Sequence, residues 1–242
     1  MEYKYIACSS FGKDSMATIL TALQYKEPLD AVLYCEVMYD KEISGEVPEH
    51  KAFIHEKAIP WLERQDIRVF HVKTEITYLD VFYRTVYNSL NPMRNGRYEG
   101  FPLCGKCRVQ SKCKGNTLKQ YVNKNFGEDV IQYLGISADE KYRLKKLKPG
   151  QISLLEKYKL DKGRVLSMVQ DADLLSPVYK FARRSGCWFC PNASLQELAH
   201  LRKYHTKLWE RFLELGKENT VSKKFNRDYT LDELEQKLKN IE

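Results

Sequence analysis

Along the first part of the chain, short apolar blocks alternate with stretches of helical period. Tyr3–Cys8, Leu29–Met38, Ile67–Val72 and Asp129–Ile136 are apolar runs of strand length. Between them, Ala17, Leu20 and Leu23 recur at helical spacing after Met16. Phe53, Ile54, Ala58 and Trp61 share one face of a helix over His50–Trp61, and Leu79–Leu90 reads as a further helix. Strands that alternate with helices predict βαβ units, hence an α/β fold with an open, mostly parallel sheet of about five strands flanked by helices.

Two stretches break this rhythm. Residues 91–115 contain Pro92, Gly96, Gly100, Pro102 and Gly105, which argues against a regular helix there. Residues 145–164 are Lys-rich around Pro149-Gly150 and read as an exposed excursion. After Pro191 the residues Leu195, Leu198, Leu201, Tyr204, Leu208, Phe212 and Leu215 form a helical apolar stripe. A last helix is expected over Thr230–Lys239, with Thr230 as N-cap and Glu233 in the capping-box position. The expected organisation is an α/β domain over residues 1–180, with 91–115 as a cysteine-containing insertion. A helical C-terminal appendage over 181–242 would pack on it.

The first strand runs directly into Ser9-Ser10-Phe11-Gly12-Lys13-Asp14-Ser15 and then into a helix. A strand, a tight polar turn and a helix N-terminus aim backbone N–H groups and the helix dipole at one point, which suits an anion. Lys13 adds a charge and Gly12 permits close approach. The loop is not a Walker A motif, because Asp14 rather than Ser or Thr follows the lysine. A plainer role, a turn that caps a helix through Ser10 or Ser15, is the alternative.

The loop resembles the PP-loop of ATP pyrophosphatases and their relatives, and its Phe-Gly-Lys-Asp-Ser form is similar to the phosphoadenosine phosphosulfate (PAPS) reductase family. Further stretches carry the same resemblance in order: Asp40–His50, Gly100–Cys107 followed by Lys112, Gly135–Arg143, and Arg183–Pro191 with its Cys-Trp-x-Cys-Pro element. The resemblance implies an adenine nucleotide alpha-hydrolase-like sheet that binds ATP or a PAPS-like adenine nucleotide with Mg²⁺. It further implies nucleotide contacts from Ser9, Ser10, Phe11, Gly12, Lys13, Asp14, Ser15, Asp40, Gly135 and Glu140. Lys13, Asp14, Lys112 and Arg143 would act on the reacting group, Arg143 through a bidentate contact. For Glu140 and Arg143, a surface i, i+3 pair at a helix start is the plainer alternative.

Of seven cysteines, Cys8 and Cys35 fall inside apolar strands and are expected in the core. Cys104-x-x-Cys107 and Cys187-x-x-Cys190 lie outside the strands, with Cys113 a possible substitute ligand. Two such pairs point to one tetrahedral thiolate centre, which suits zinc or an iron–sulfur cluster. PP-loop relatives that insert sulfur carry clusters, so the resemblance favours [4Fe–4S] over Zn²⁺.

Residues 1–80 carry 9 Lys+Arg against 14 Asp+Glu, whereas residues 81–242 carry 31 against 18. The basic second part suits a polyanion such as tRNA or DNA. No apolar run approaches the ~20 residues of a membrane span, and the first residues lack a signal-peptide pattern, so a cytoplasmic protein is expected. Together these features predict an enzyme that cleaves ATP at the α-phosphate and activates an acceptor for sulfur transfer. A PAPS or adenylyl-sulfate reductase is one alternative, disfavoured because no cysteine follows Cys190 in this sequence. A non-catalytic nucleic-acid-binding protein on the same fold is the other.

Overall fold

The computed structural model describes residues 4–102, 107–127 and 129–240. Its strands are β1 (Tyr5–Ser9), β2 (Ala31–Glu36), β3 (Arg68–Lys73), β4 (Tyr98–Gly100), β5 (Ile131–Leu134), β6 (Gln151–Ile152) and β7 (Thr220–Ser222). Two compact units divide the chain. The first takes residues 1–36, 47–73 and 117–185, and the second takes 37–46, 74–116 and 186–242.

The first unit is built on a five-stranded sheet in the order β3-β2-β1-β5-β6, parallel throughout. Successive β2 residues point to opposite faces, and all six are buried, as expected for a strand covered on both sides. On one face Ala7, Val32, Tyr34 and Tyr133 meet Met16 and Ile19, Phe53 and Ile54, and Leu154, Val165 and Val169. The other face buries Ile6, Ala31 and Leu33 against Val122 and Val130. This α/β arrangement is the one the apolar alternation predicts.

The first unit departs from the expectation at its far edge. The Lys-rich stretch 145–164 supplies β6 and the helix Leu154–Lys157, and the helix Lys162–Asp171 begins within it. Leu154 and Leu155 are buried, so an apolar pair among lysines is enough to seat the segment on the core. A second departure is the helix over Pro48–Glu63, whose middle, Ile54–Ala58, is wound as a π-turn. Pro60 has no N–H to give and its ring crowds the preceding turn, so the wider winding relieves the clash.

The second unit pairs β4 with β7 in parallel and packs an aromatic core. Tyr78 lies 4.2 Å from Phe189 between ring centroids, Tyr39 lies 4.6 Å from Trp188, and Phe212 lies 5.0 Å from Phe225. Thr230 caps its helix through a capping box with Glu233, as the sequence predicts. The expected helix over Leu79–Leu90 is much shorter, spanning Tyr78–Phe82. Beyond it the backbone of Arg84–Val86 is extended and bonds to Gly96, Arg97 and Glu99, an arrangement that suits the β-branched Thr85 and Val86. The helix after Pro191 also differs, ending at Tyr204 and resuming at Thr206. His205, at φ −130° and ψ 51°, interrupts it. The break leaves Tyr204 exposed and buries Trp209, whose Nε1 donates to Glu235 at 2.7 Å.

Candidate nucleotide loop and candidate metal centre

β1 ends at Ser9, and the helix Lys13–Gln24 begins four residues later with Gly12 at its N-cap. Between them Phe11 adopts φ +54°, a left-handed turn, and buries its ring edge-on against Tyr34 at 5.2 Å. The Phe11 N–H donates to Ser9 Oγ at 2.9 Å, and Ser15 Oγ donates to the Gly12 carbonyl at 3.0 Å. The N-cap is Gly12, which has no side chain to cap with, and Ser15 Oγ is turned back to the Gly12 carbonyl, so neither Ser10 nor Ser15 holds the N-cap position considered for it. The turn is instead fixed by hydrophobic anchoring of Phe11 and by hydroxyls that hold its own backbone.

The loop lies where the strand order reverses: the chain steps from β1 to β2 and β3 on one side, then to β5 and β6 on the other. In open parallel sheets, that position at the strand carboxyl ends is where ligands bind. Gly135 follows β5 there, so close that a Cβ on it would stand 2.7 Å from Ser15 N and 2.8 Å from the Asp14 carbonyl carbon. Over Gly12, a Cβ would meet Ser185 Oγ at 2.4 Å, Tyr179 Oη at 3.1 Å and Ser10 Oγ at 3.5 Å. Tyr179 Oη also accepts the Lys13 backbone N–H at 2.9 Å. Three hydroxyls therefore converge on the glycine, and Lys13 Nζ, one residue on, sits 2.8 Å from Asp14 Oδ1.

Sequence reasoning missed Tyr179, Ser185 and His50. His50 is fully buried, with Nε2 2.9 Å from the Ser10 carbonyl and Nδ1 2.8 Å from Ser176 Oγ. A carbonyl only accepts, so Nε2 carries the proton and donates to it. A buried histidine among polar loop residues is a signal for such a brace, yet one that needs the fold to reveal its partners. His50→Ala should leave the Ser10 carbonyl without this donor, costing about 1–3 kcal/mol of stability. Chemical denaturation of the two proteins checks this; equal midpoints and slopes would remove His50 from the loop's support.

The other proposed nucleotide residues have local partners. Asp40 lies in the second unit, where Oδ1 accepts from Glu42 N at 2.8 Å and Ile43 N at 2.6 Å, and Oδ2 faces Arg211 at 3.6 Å. Glu140 stands at the N-cap position of the helix Lys141–Leu144 without a side-chain cap bond and pairs with Arg143 at 2.9 Å, the i, i+3 pair named as the plainer alternative. Lys112 is exposed on the segment Val109–Gly115 of the second unit.

That unit also gathers cysteines. Cys104 lies outside the described residues; the six described cysteines are thiols, with Cys35 buried in β2 as expected. Cys187 and Cys190 form a tight turn, closed by Cys190 N–H donating to the Cys187 carbonyl at 3.0 Å. The turn is held on the 37–46 segment: Cys187 bridges Glu46, Trp188 N donates to the Gly45 carbonyl at 3.0 Å, and Trp188 Nε1 donates to the Ser44 carbonyl at 2.9 Å. Burial pushes the Cys187 thiol well up, and Glu46, Cys190 and Cys107 push it further while Lys114 opposes them. Burial likewise raises Tyr78, with Tyr39, Cys107, Cys190 and Cys187 adding to it. Cys107 and Cys190 thus both act electrostatically on Cys187, and all three act on Tyr78. Cys113 is fully buried and aims its thiol at the Thr77 carbonyl, 3.7 Å away.

No protein-family model matches the chain, and no curated protein matches it. Among solved structures, the chain is similar to the U34-tRNA thiolase NcsA from Methanococcus maripaludis with its [4Fe-4S] cluster. That match has 18% identity over 99% of this chain and 73% of the other, with a TM-score of 0.42. No helix among the described residues is long and apolar enough to cross a membrane.

Proposed function

We propose that the chain is an enzyme that binds an adenine nucleotide on the Ser9–Ser15 loop and cleaves ATP at the α-phosphate, activating an acceptor for sulfur transfer. The observation that carries this reading is the loop itself. It is a helix N-terminus whose N-cap, Gly12, offers no side chain, placed at the reversal of strand order, with Gly12 under three hydroxyls and Gly135 against its backbone. Such a site offers dipoles and donors to developing negative charge on a phosphate without reorganisation. Lys13 would exchange Asp14 for a phosphate oxygen, leaving the Asp14 carboxylate available to Mg²⁺. Ser10, Ser15, Tyr179 and Ser185 supply the neutral donors. Arg143 would leave Glu140 to reach the reacting group, freeing Glu140 for the nucleotide contact that the sequence resemblance implies.

In the second unit, Cys107, Cys187 and Cys190, with Cys104, would be the ligands of one thiolate-held centre; Cys187 and Cys190 share a single turn, and the three described thiols do not stand within 4.8 Å of one another. The donor set suits a [4Fe–4S] cluster, with zinc the alternative. When bound, a cluster supplies redox and sulfur-ligating chemistry. The chain's own part is to hold four thiolates and, through Trp188 and Gly45, to fix the turn that presents two of them. The excess of basic residues over 81–242 supports a nucleic-acid acceptor such as tRNA.

Lys13→Ala should weaken ATP binding by roughly 10- to 100-fold, the cost of one charge-assisted contact of ~1.5–3 kcal/mol, while the melting temperature stays near that of the parent. Calorimetric titration with ATP, together with pyrophosphate release measured with and without tRNA or DNA, is the test. Unchanged affinity in Lys13→Ala, or no adenine-nucleotide binding at all, would overturn the assignment.

A further inference from the structure

Away from the nucleotide loop and the cysteines, Glu36, His55 and His71 of the first unit each present one ligand atom within 4.8 Å of the others. The geometry points to a third functional site: a two-histidine, one-carboxylate centre for a divalent metal of the zinc class.

Three elements build it. Glu36 ends β2 with its side chain 1% exposed. His71 stands on β3 opposite Tyr34, two residues before Glu36 on the same face, and stacks on that ring at 4.8 Å. This contact turns His71 Nε2 toward Glu36 Oε2, 2.8 Å away. His55 comes from the π-turn, with its ring 5.4 Å from that of His71. Widened turns of this kind recur at functional sites, because the extra residue re-aims a side chain out of helical register. Here it brings His55 over the carboxyl end of β2 and the middle of β3.

The donor set selects the ion. Two imidazoles and one carboxylate suit Zn²⁺, Co²⁺ or Ni²⁺, whereas Mg²⁺ and Ca²⁺ prefer oxygen ligands throughout. Three protein ligands leave a fourth position for water or an incoming group, which marks a working site rather than a structural staple. Lys51 Nζ, 3.9 Å from Glu36 Oε1, is placed as an outer partner of the carboxylate. The rival arrangement is a metal-free ion pair between a protonated His71 and Glu36.

Cobalt separates the two arrangements and separates this site from the cysteines. Co²⁺ held by nitrogen and oxygen shows d–d absorption without the intense ultraviolet charge transfer of cobalt–thiolate bonds. The full chain should bind one Co²⁺ of the nitrogen and oxygen type, and Cys187→Ser should retain it. His55→Ala and His71→Ala should each weaken that binding by at least ~100-fold, the upper range for loss of even an outer-shell partner. His55 is exposed and the His71 side chain is 27% exposed, and circular-dichroism melts without metal should show both variants folded. If the His55→Ala, His71→Ala double variant binds Co²⁺ with unchanged stoichiometry and spectrum, or the parent binds it only through thiolates, the site does not exist.

Discussion

Replacing Cys187 with serine is expected to release the metal of the proposed thiolate centre and loosen the second unit. The thiolate turn at Cys187–Cys190 is tied to residues 44–46 by one β-bridge and two hydrogen bonds, so a metal held by this turn and by Cys107 would join three separate stretches of chain. Metal affinity of a thiolate site is folding energy, of order 10 kcal/mol when complete. Losing it would lower the melting temperature by roughly 20–40 °C in a protein of this size. Cys107→Ser should behave alike. Cys113→Ser should keep its metal, because that thiol faces the Thr77 carbonyl. Metal analysis and visible absorption of anaerobically purified protein read the outcome directly. Full metal content in both Cys107→Ser and Cys187→Ser would refute a shared centre.

Gly135→Ala should have the second large effect, acting on nucleotide affinity without touching any phosphate-binding side chain. Its Cβ would fall 2.7–2.9 Å from backbone atoms of Asp14 and Ser15, which cannot rotate away as a side chain can. Either β5 or the loop must shift, and overpacking of this kind costs about 1–3 kcal/mol. Displaced donors at the helix start should reduce ATP affinity by roughly 10- to 100-fold, since each lost hydrogen bond to a charged group is worth ~1.5–3 kcal/mol. Gly163→Ala is the control, where the added carbon stands 3.4 Å from Asp161 Oδ1, an ordinary contact. Titration of both variants with ATP decides it: equal affinities would show that the approach of Gly135 does not shape the loop.

Much of the sheet is legible in the sequence because parallel strands buried on both faces write themselves as apolar runs. β2 is the plain case, with six consecutive buried residues. The loop is legible for a related reason, since its strand, its glycine and its helix are contiguous. What supports the loop is not. Tyr179, Ser185 and His50 come from positions 40 or more residues away, and their meaning depends on contacts that only the folded chain creates. β6 was hidden by its lysines, the break at His205 by a stripe that continues smoothly in sequence, and the extended Arg84–Val86 by apolar spacing that also suits a helix. Among the cysteines, the spacing names the pairs but does not show that Cys113 is turned toward a carbonyl.

The interleaving of the two units bears on when each can fold. The second unit draws on residues 37–46, 74–116 and 186–242. As the chain leaves the ribosome, its first two pieces must wait for the third, and loop closure over such separations slows folding. The first unit has all its strands by residue 152 and its last helical turn by residue 180. Nascent chains stalled between residues 116 and 186 would therefore carry exposed aromatic surface and cysteines without their neighbours, the kind of species on which chaperones act. Order of synthesis thus supplies the Cys187–Cys190 turn last.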